Sequence, residues 1–290
     1  MNAADTSIDD TTLAVYRLGW SAEARAAWSG FRTAQNRASP LADPAWFDIL
    51  AQSYRPTLAV FVARRADDTV GGILPSYIVR DIRGGRHLYS LRHGLAAASA
   101  PVAEALCAAV ADHCRATGTV SALVTSGEVP LVTQHRHWTR ASLTLALPSD
   151  PDILWTSFRD KVRNTIRKAE RSGIEFRTAV ADVDAFWRLE ADAMAAQLLP
   201  VKSRRFFRAI FDKFGDRLYT ASLDGAVVGG MLILLGDGIA SYAYGAFSPD
   251  GRRLGANSAL MWKVAEGLIQ QGFGTLDLGE STVGGGTYKF

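Results

Sequence analysis

ASYAYGAFSPDGRRLGANSALMWKVAEGLIQQGFGTLDLGE, residues 240–280, holds the key to the fold. Apolar and aromatic residues run to Phe247, and Ser-Pro-Asp-Gly then breaks the run. A helical pattern follows and ends at Gly272, and Thr275–Glu280 reads as a further apolar strand. The order is strand, loop, helix, strand. A glycine just past the helix suits the left-handed position that a β-carbon disfavours.

Upstream, LYTASLDGAVVGGMLILLG (218–236) is two apolar runs around a polar turn, the pattern of a β-hairpin. The same plan occurs earlier in LAVFVARRADDTVGGILPSYIV (58–79), where Val70-Gly71-Gly72-Ile73-Leu74 stands 158 residues before Val228-Gly229-Gly230-Met231-Leu232. Downstream of that first hairpin, PVAEALCAAVADHCRATG (101–118) is a helix ended by Gly118, and SALVTS (121–126) follows as a strand. Hairpin, helix, glycine and strand thus recur in the same order. The chain reads as two copies of one α/β unit joined at the turn-rich ALPSDPD (146–152), with expected domains 1–148 and 149–290.

The residues Arg252-Arg253-Leu254-Gly255-Ala256-Asn257 resemble the pyrophosphate loop of the GNAT acyltransferases, Arg/Gln-x-x-Gly-x-Gly/Ala. There, backbone amides at a helix start hold the phosphates of coenzyme A. Arg252 and Gly255 match the first two fixed positions, and Asn257 replaces the small third residue. FRDKVRNTIRKAERSGIEFR (158–177) resembles the helix that opens the second domain of the Fem-like branch of that superfamily, and the closing GGGTYKF resembles the branch's Tyr-Lys-Phe motif. The resemblance implies an α/β protein of two tandem GNAT-like domains, each a mixed, mostly antiparallel sheet flanked by helices, the first degenerate and forming one wall of the acceptor cleft. It also implies an amide-forming aminoacyltransferase that takes an amino acid from aminoacyl-tRNA and delivers it to an amine of a cell-wall or peptide-antibiotic precursor. No tightly bound cofactor is then expected. Acyl-coenzyme A is the alternative donor, and a non-catalytic RNA- or partner-binding protein on the same fold is a third reading.

The stretch 158–177 carries seven basic residues in twenty. Phe158, Val162, Ile166 and Ala169 make an apolar stripe, while Arg159, Arg163, Arg167 and Arg171 recur at four as a basic ridge that Lys161 and Lys168 broaden. Asp160 and Glu170 offset part of the charge. The ridge is either a solvated face whose long side chains cover apolar neighbours or a surface for the phosphates of a tRNA acceptor end.

Lys289 matches the family lysine that steadies an oxyanion or grips a substrate phosphate, with Tyr288 beside it. An aminoacyl ester already has a good leaving group, so a fixed ammonium suffices and no enzyme nucleophile is needed. Tyr242 and Tyr244 alternate along an expected strand and so should share a face, either lining the acyl channel or acting as ordinary strand aromatics, with Tyr244 the candidate proton donor. Asp277 and Glu280, three apart, should face opposite sides, with Glu280 the better proton acceptor at the strand end.

Bulk properties exclude several classes. A net charge of +3 with 48% hydrophobic and 21% charged residues describes an ordinary globular chain, so any anion-binding surface must be local. No apolar run reaches the length of a membrane span, and the acidic, polar start MNAADTSIDDTT is no secretory signal. Cys107 and Cys114 lie two helical turns apart, about 10 Å, too far for a disulfide. His135 and His137 lack partners at metal-ligand spacing, so no metal is expected. A cytoplasmic monomer is expected, with charged tRNA and a small peptide or nucleotide-linked amine as its substrates.

Overall fold

A computed structural model describes residues 13–35, 39–126, 140–178, 182–215 and 217–282. The first unit contains β1 (Leu13–Gly19), α1 (Ala22–Ala34), α2 (Ala45–Ser53), β2 (Thr57–Arg65), β3 (Val70–Arg80), β4 (Arg86–Ser90), the two-residue β5 (Ala96–Ala97), α3 (Ala100–Thr117) and β6 (Ser121–Leu123). Its sheet runs β1-β2-β3-β4-β6, with β5 also on β3. All neighbours are antiparallel except β4 and β6, the pair that α3 connects.

The second unit contains β7 (Arg140–Ala146), α4 (Pro151–Ser157), α5 (Asp160–Arg171), β8 (Glu175–Thr178), α6 (Val183–Ala196), α7 (Arg204–Phe214), β9 (Leu218–Leu223), β10 (Ala226–Leu235), β11 (Ile239–Phe247), α8 (Pro249–Leu254), α9 (Ala256–Gln270) and β12 (Thr275–Thr282). Its sheet runs β7-β12-β11-β10-β9-β8, antiparallel except between β11 and β12. From β1 and from β8 the order is the same apart from β5 in the first unit and α8 in the second: strand, two helices, three antiparallel strands, a crossover helix and a parallel strand. The expected duplication is present as topology. Among the described residues, the first compact unit runs to Ser126 and the second takes up from Arg140. Strand β7, which precedes the turn-rich stretch at 146–152, pairs along β12 and belongs to the second sheet.

The two crossover helices end alike. Gly118 (φ 64°) and Gly272 (φ 82°) both take the left-handed conformation. The amide after each glycine reaches back five residues, Thr119 N to Cys114 O at 2.9 Å and Phe273 N to Leu268 O at 3.0 Å. Those bonds satisfy carbonyls that the helix ends would otherwise orphan. Cys107 and Cys114 are free and half-buried on α3, and burial raises both thiol pKa values.

Each sheet is covered on both faces. In the first unit α1 and α2 bring Trp28, Phe31 and Phe47 onto Val60, Val62 and Ile73, while α3 brings Val102 and Leu106 onto Phe61 and Leu74. In the second, α9, with Ile166 of α5 and Leu154 of α4, covers Met231, Ile233, Ala240 and Leu276. The opposite face is closed by α6 and α7, whose Phe186 and Phe207 rings meet edge-on at 5.5 Å. Among the described residues no helix is long and apolar enough to cross a membrane.

The repeated glycine pair has a packing cause. A β-carbon on Gly72 would stand 2.7 Å from Val102 Cγ1, and one on Gly230 would stand 2.6 Å from Phe186 Cδ2. Both helices approach their sheets through the space that a missing side chain leaves. Because Phe186 is fully buried, Gly230→Ala should overpack the core and cost about 1–3 kcal/mol. Chemical denaturation of Gly230→Ala beside the helix control Gly267→Ala, whose β-carbon meets nothing within 4 Å, measures the difference.

Candidate active site

The candidate site begins where the second sheet opens. Strands β11 and β12 pair only through Ile239–Thr275, Ala240–Leu276 and Ser241–Asp277. Beyond those pairs β11 continues to Phe247 along β10, and β12 continues to Thr282 along β7. Each strand bulges as it departs. On β11, Tyr242 and Tyr244 face consecutive residues of β10, Ile233 and Leu232, leaving Ala243 extra. On β12, Asp277 and Gly279 face consecutive residues of β7, Thr144 and Leu143, leaving Leu278 extra. A bulge of this kind bends the strand and resets its alternation.

That reset corrects two expectations. Tyr242 and Tyr244 do not share a face. Tyr242 packs into the α9-side core, whereas the Tyr244 ring meets Phe206 and Phe207 of α7 with centroids at 5.9 and 5.3 Å. Asp277 and Glu280 do share one, because their register partners Thr144 and Ser142 are two apart on β7. It is the face opposite Leu276, which lies in the α9-side core. There Ser142 and Thr144 are exposed, so this side of the opening is polar.

The loop leaving β11 is built by close approaches. Ser248 caps α8, accepting from Gly251 N at 3.0 Å. A β-carbon on Gly251 would come within 2.4 Å of the Val228 carbonyl oxygen. Gly255 ends α8 and precedes α9 with φ 84° and no side-chain cap. A β-carbon there would stand 2.6 Å from Thr165 Cγ2 of α5. The first amides of α9 therefore lie just past a glycine, and such amides lack intrahelical acceptors. Arg252 donates to the Phe247 carbonyl, Arg253 pairs with Asp250 at 3.0 Å, and Asn257 is half-buried in the first turn of α9.

The basic helix leans on this loop. Lys168 Nζ donates to the Arg253 carbonyl at 3.1 Å. Helix α5 begins at Asp160, two residues later than its apolar stripe suggests, because the chain breaks at Phe158 and Arg159 after α4. Phe158 still reaches the core and packs on Trp262 of α9 at 5.8 Å. Arg159, Lys161, Arg167, Lys168 and Arg171 are exposed. Arg163 is half-buried and tied to Asp160 and the Thr156 carbonyl, and the Arg167 guanidinium lies 5.5 Å over the Trp155 ring. Lys289 and Tyr288 lie outside the described residues, as do His135 and His137.

Sequence patterning passed over one cluster. On α6 the buried stripe is Val183, Phe186 and Glu190. Glu190 is only 3% exposed and its Oε1 accepts from Lys202 Nζ at 3.1 Å, which also lies 5.1 Å from the centre of the Tyr244 ring. A glutamate at an apolar-stripe position was the available signal.

Residues 156–290 match the family model described as an acetyltransferase (GNAT) domain. No curated protein matches the chain. Among solved structures, the crystal structure of FemX superposes with TM-score 0.59 at 12% identity, covering 91% of this chain and 88% of that one. A tandem GNAT protein from the clavulanic acid biosynthesis pathway, without AcCoA, gives TM-score 0.58 at 14% identity, covering 95% and 92%. L-PGS from Bacillus licheniformis gives 0.51 at 13%, covering 89% and 77%.

Burial pushes the Tyr242 phenol up to about 12, so it stays protonated at neutral pH. A raised folded-state value favours folding below the ordinary value of 10 and loses that contribution as pH climbs to about 12. Tyr242→Phe should therefore remove about 1.4 kcal/mol of the stability lost between pH 9 and pH 11. Denaturation curves at pH 9 and pH 11, taken on both proteins, read the difference.

Proposed function

We propose that this protein is an acyltransferase that makes amides from aminoacyl-tRNA: residues 156–290 match a GNAT acetyltransferase domain model, and the two-unit fold is similar to that of FemX and of a tandem GNAT protein. The amino acid passes to an amine of a peptide or nucleotide-linked precursor. The observation that carries this reading is the contact between the basic helix and the start of α9. Through Lys168 and Arg253, and through Thr165 and Gly255, the exposed cations of α5 adjoin a helix start suited to phosphate. A diphosphate would need that helix start alone. A cationic surface running on to Arg159, Lys161, Arg167 and Arg171 suits a longer polyanion, whose neutralised phosphates release counterions.

In this reaction the acceptor nitrogen attacks the ester carbonyl of the charged tRNA. The tetrahedral intermediate then expels the ribose oxygen of the terminal adenosine. Lys289 supplies the ammonium for the oxyanion, loss of such a donor typically costing about 2.7–4 kcal/mol. Tyr244 lines the acyl channel at the strand opening, and Glu280 stands on the polar side of that opening. A second reading, acyl transfer from coenzyme A, is favoured by the uncapped glycine start of α9, and the same assay separates the two.

The assay is transfer of labelled amino acids from a pool of charged tRNA to a panel of amines, with acetyl-coenzyme A in parallel. Label should move only from intact charged tRNA, vanish on ribonuclease treatment, and fall about a hundredfold or more with Lys289→Ala. The double variant Lys161→Glu and Arg171→Glu should raise KM for tRNA about tenfold or more and flatten its dependence on salt, with kcat little changed. Transfer from coenzyme A alone would reject the tRNA reading.

A further inference from the structure

Glu190 is a buried carboxylate with half of its hydrogen-bonding capacity unmet. Oε1 is held by Lys202, while Oε2 is inaccessible to solvent and has no hydrogen-bond partner among the described residues. An ionised oxygen buried without a partner is costly. The side chain follows Phe186 on the stripe of α6 that faces the sheet, and α6 packs on β10 and β11. On β11 itself, the Ser241 hydroxyl is also buried and lacks a partner among the described residues. Ser241 is the last residue of β11 paired with β12, and it lies on the face opposite Ala240, which belongs to the α9-side core. Two unmet oxygens thus sit in the same α6-covered layer where the strands part.

The present occupant of this layer indicates what it accepts. The Lys202 ammonium lies between the Glu190 carboxylate and the Tyr244 ring, the surroundings a cation prefers. Lys202 itself is 32% exposed, and it stands on the connection between α6 and α7, pinned there by Trp187 Nε1 donating to its carbonyl at 2.9 Å. It is an internal ammonium ligand at the edge of solvent.

We propose that Glu190, with Ser241 and Tyr244, binds the primary ammonium of the acyl acceptor and takes its first proton. The acceptor enters as R–NH3+, and one N–H bond breaks as its proton passes to a Glu190 carboxylate oxygen. The neutral nitrogen then forms the new bond to the acyl carbon. Its second proton leaves with the departing group of the donor, and Glu190 returns its own to solvent. The sum is ammonium plus acyl donor giving amide, protonated leaving group and one proton. This inference rests on amide formation and is independent of which donor supplies the acyl group.

The test uses n-butylammonium as the probe and n-butanol as its uncharged counterpart, followed by ligand-observed NMR on the full chain. The wild type should bind the ammonium and not the alcohol, and Glu190→Gln should weaken binding about tenfold or more. Lys202→Met removes the internal competitor and should tighten it. A purely structural ion pair predicts the reverse: no probe binding by the wild type, and only a lower melting temperature in Lys202→Met. Either absence of wild-type binding or equal binding by Glu190→Gln overturns the proposal. If Glu190→Gln does not fold, the gain or its absence in Lys202→Met decides. Ammonium binding that depends on Glu190, without transfer from tRNA, would retire the donor reading alone.

Discussion

The second unit is organised around a pairing that stops. After three parallel pairs, β11 follows β10 and β12 follows β7, so two strand edges in the middle of a sheet turn away from each other. Backbone donors and acceptors need partners, and a strand edge offers them to whatever extended group enters. The bulges at Ala243 and Leu278 produce the divergence, and other features of the unit position groups around it. The loop after β11 crosses β10 at Gly251, α9 starts at Gly255, and α5 leans on that junction.

The two faces of the opening differ in chemistry because their helices differ. On the α9 side the contacts are aromatic and aliphatic. Trp155 and Phe158 clasp Trp262 at 5.0 and 5.8 Å, and Tyr242 is sealed among apolar neighbours. This side fixes geometry. On the α6 side, Glu190, Lys202, Ser241, Asp277 and Glu280 bring charge and hydroxyls to the same layer or the same sheet face. Proton transfer needs groups of that kind, and a low-dielectric wall behind them strengthens each contact. The division puts apolar packing on one face and charged and hydroxyl groups on the other.

Much of this was legible in the sequence. Val-Gly-Gly recurring 158 residues on announced the duplication, and the glycines after both crossover helices marked their ends, since local conformational cost leaves a residue signature. Three things were not legible, each for a physical reason. The faces of Tyr242, Tyr244, Asp277 and Glu280 were miscounted because one extra residue in a strand inverts a period-two reading. Membership of β7 in the second sheet depends on pairing with β12, far along the chain, and no local pattern encodes a distant partner. Glu190 was hidden by its company, since burial of a carboxylate is a tertiary fact.

The two copies differ at the place where their parallel strands part. In the first unit β4 and β6 also pair at only three positions, His87–Ser121, Leu88–Ala122 and Tyr89–Leu123. Beyond them the opening is stitched shut. Thr125 N donates to Ser90 Oγ at 2.8 Å, and Thr125 Oγ1 donates to the Leu91 carbonyl at 2.7 Å. Leu95 N donates to the Thr125 carbonyl at 3.0 Å, and Leu95 bridges to Ser126. In place of a phosphate-ready loop, β5 lies down on β3. A few hydrogen bonds, each contributing about 1 kcal/mol net, fill the space that an acyl donor would need. The first copy thereby gains a closed sheet, whereas in the second no pairing of β11 with β12 extends past Ser241–Asp277 among the described residues.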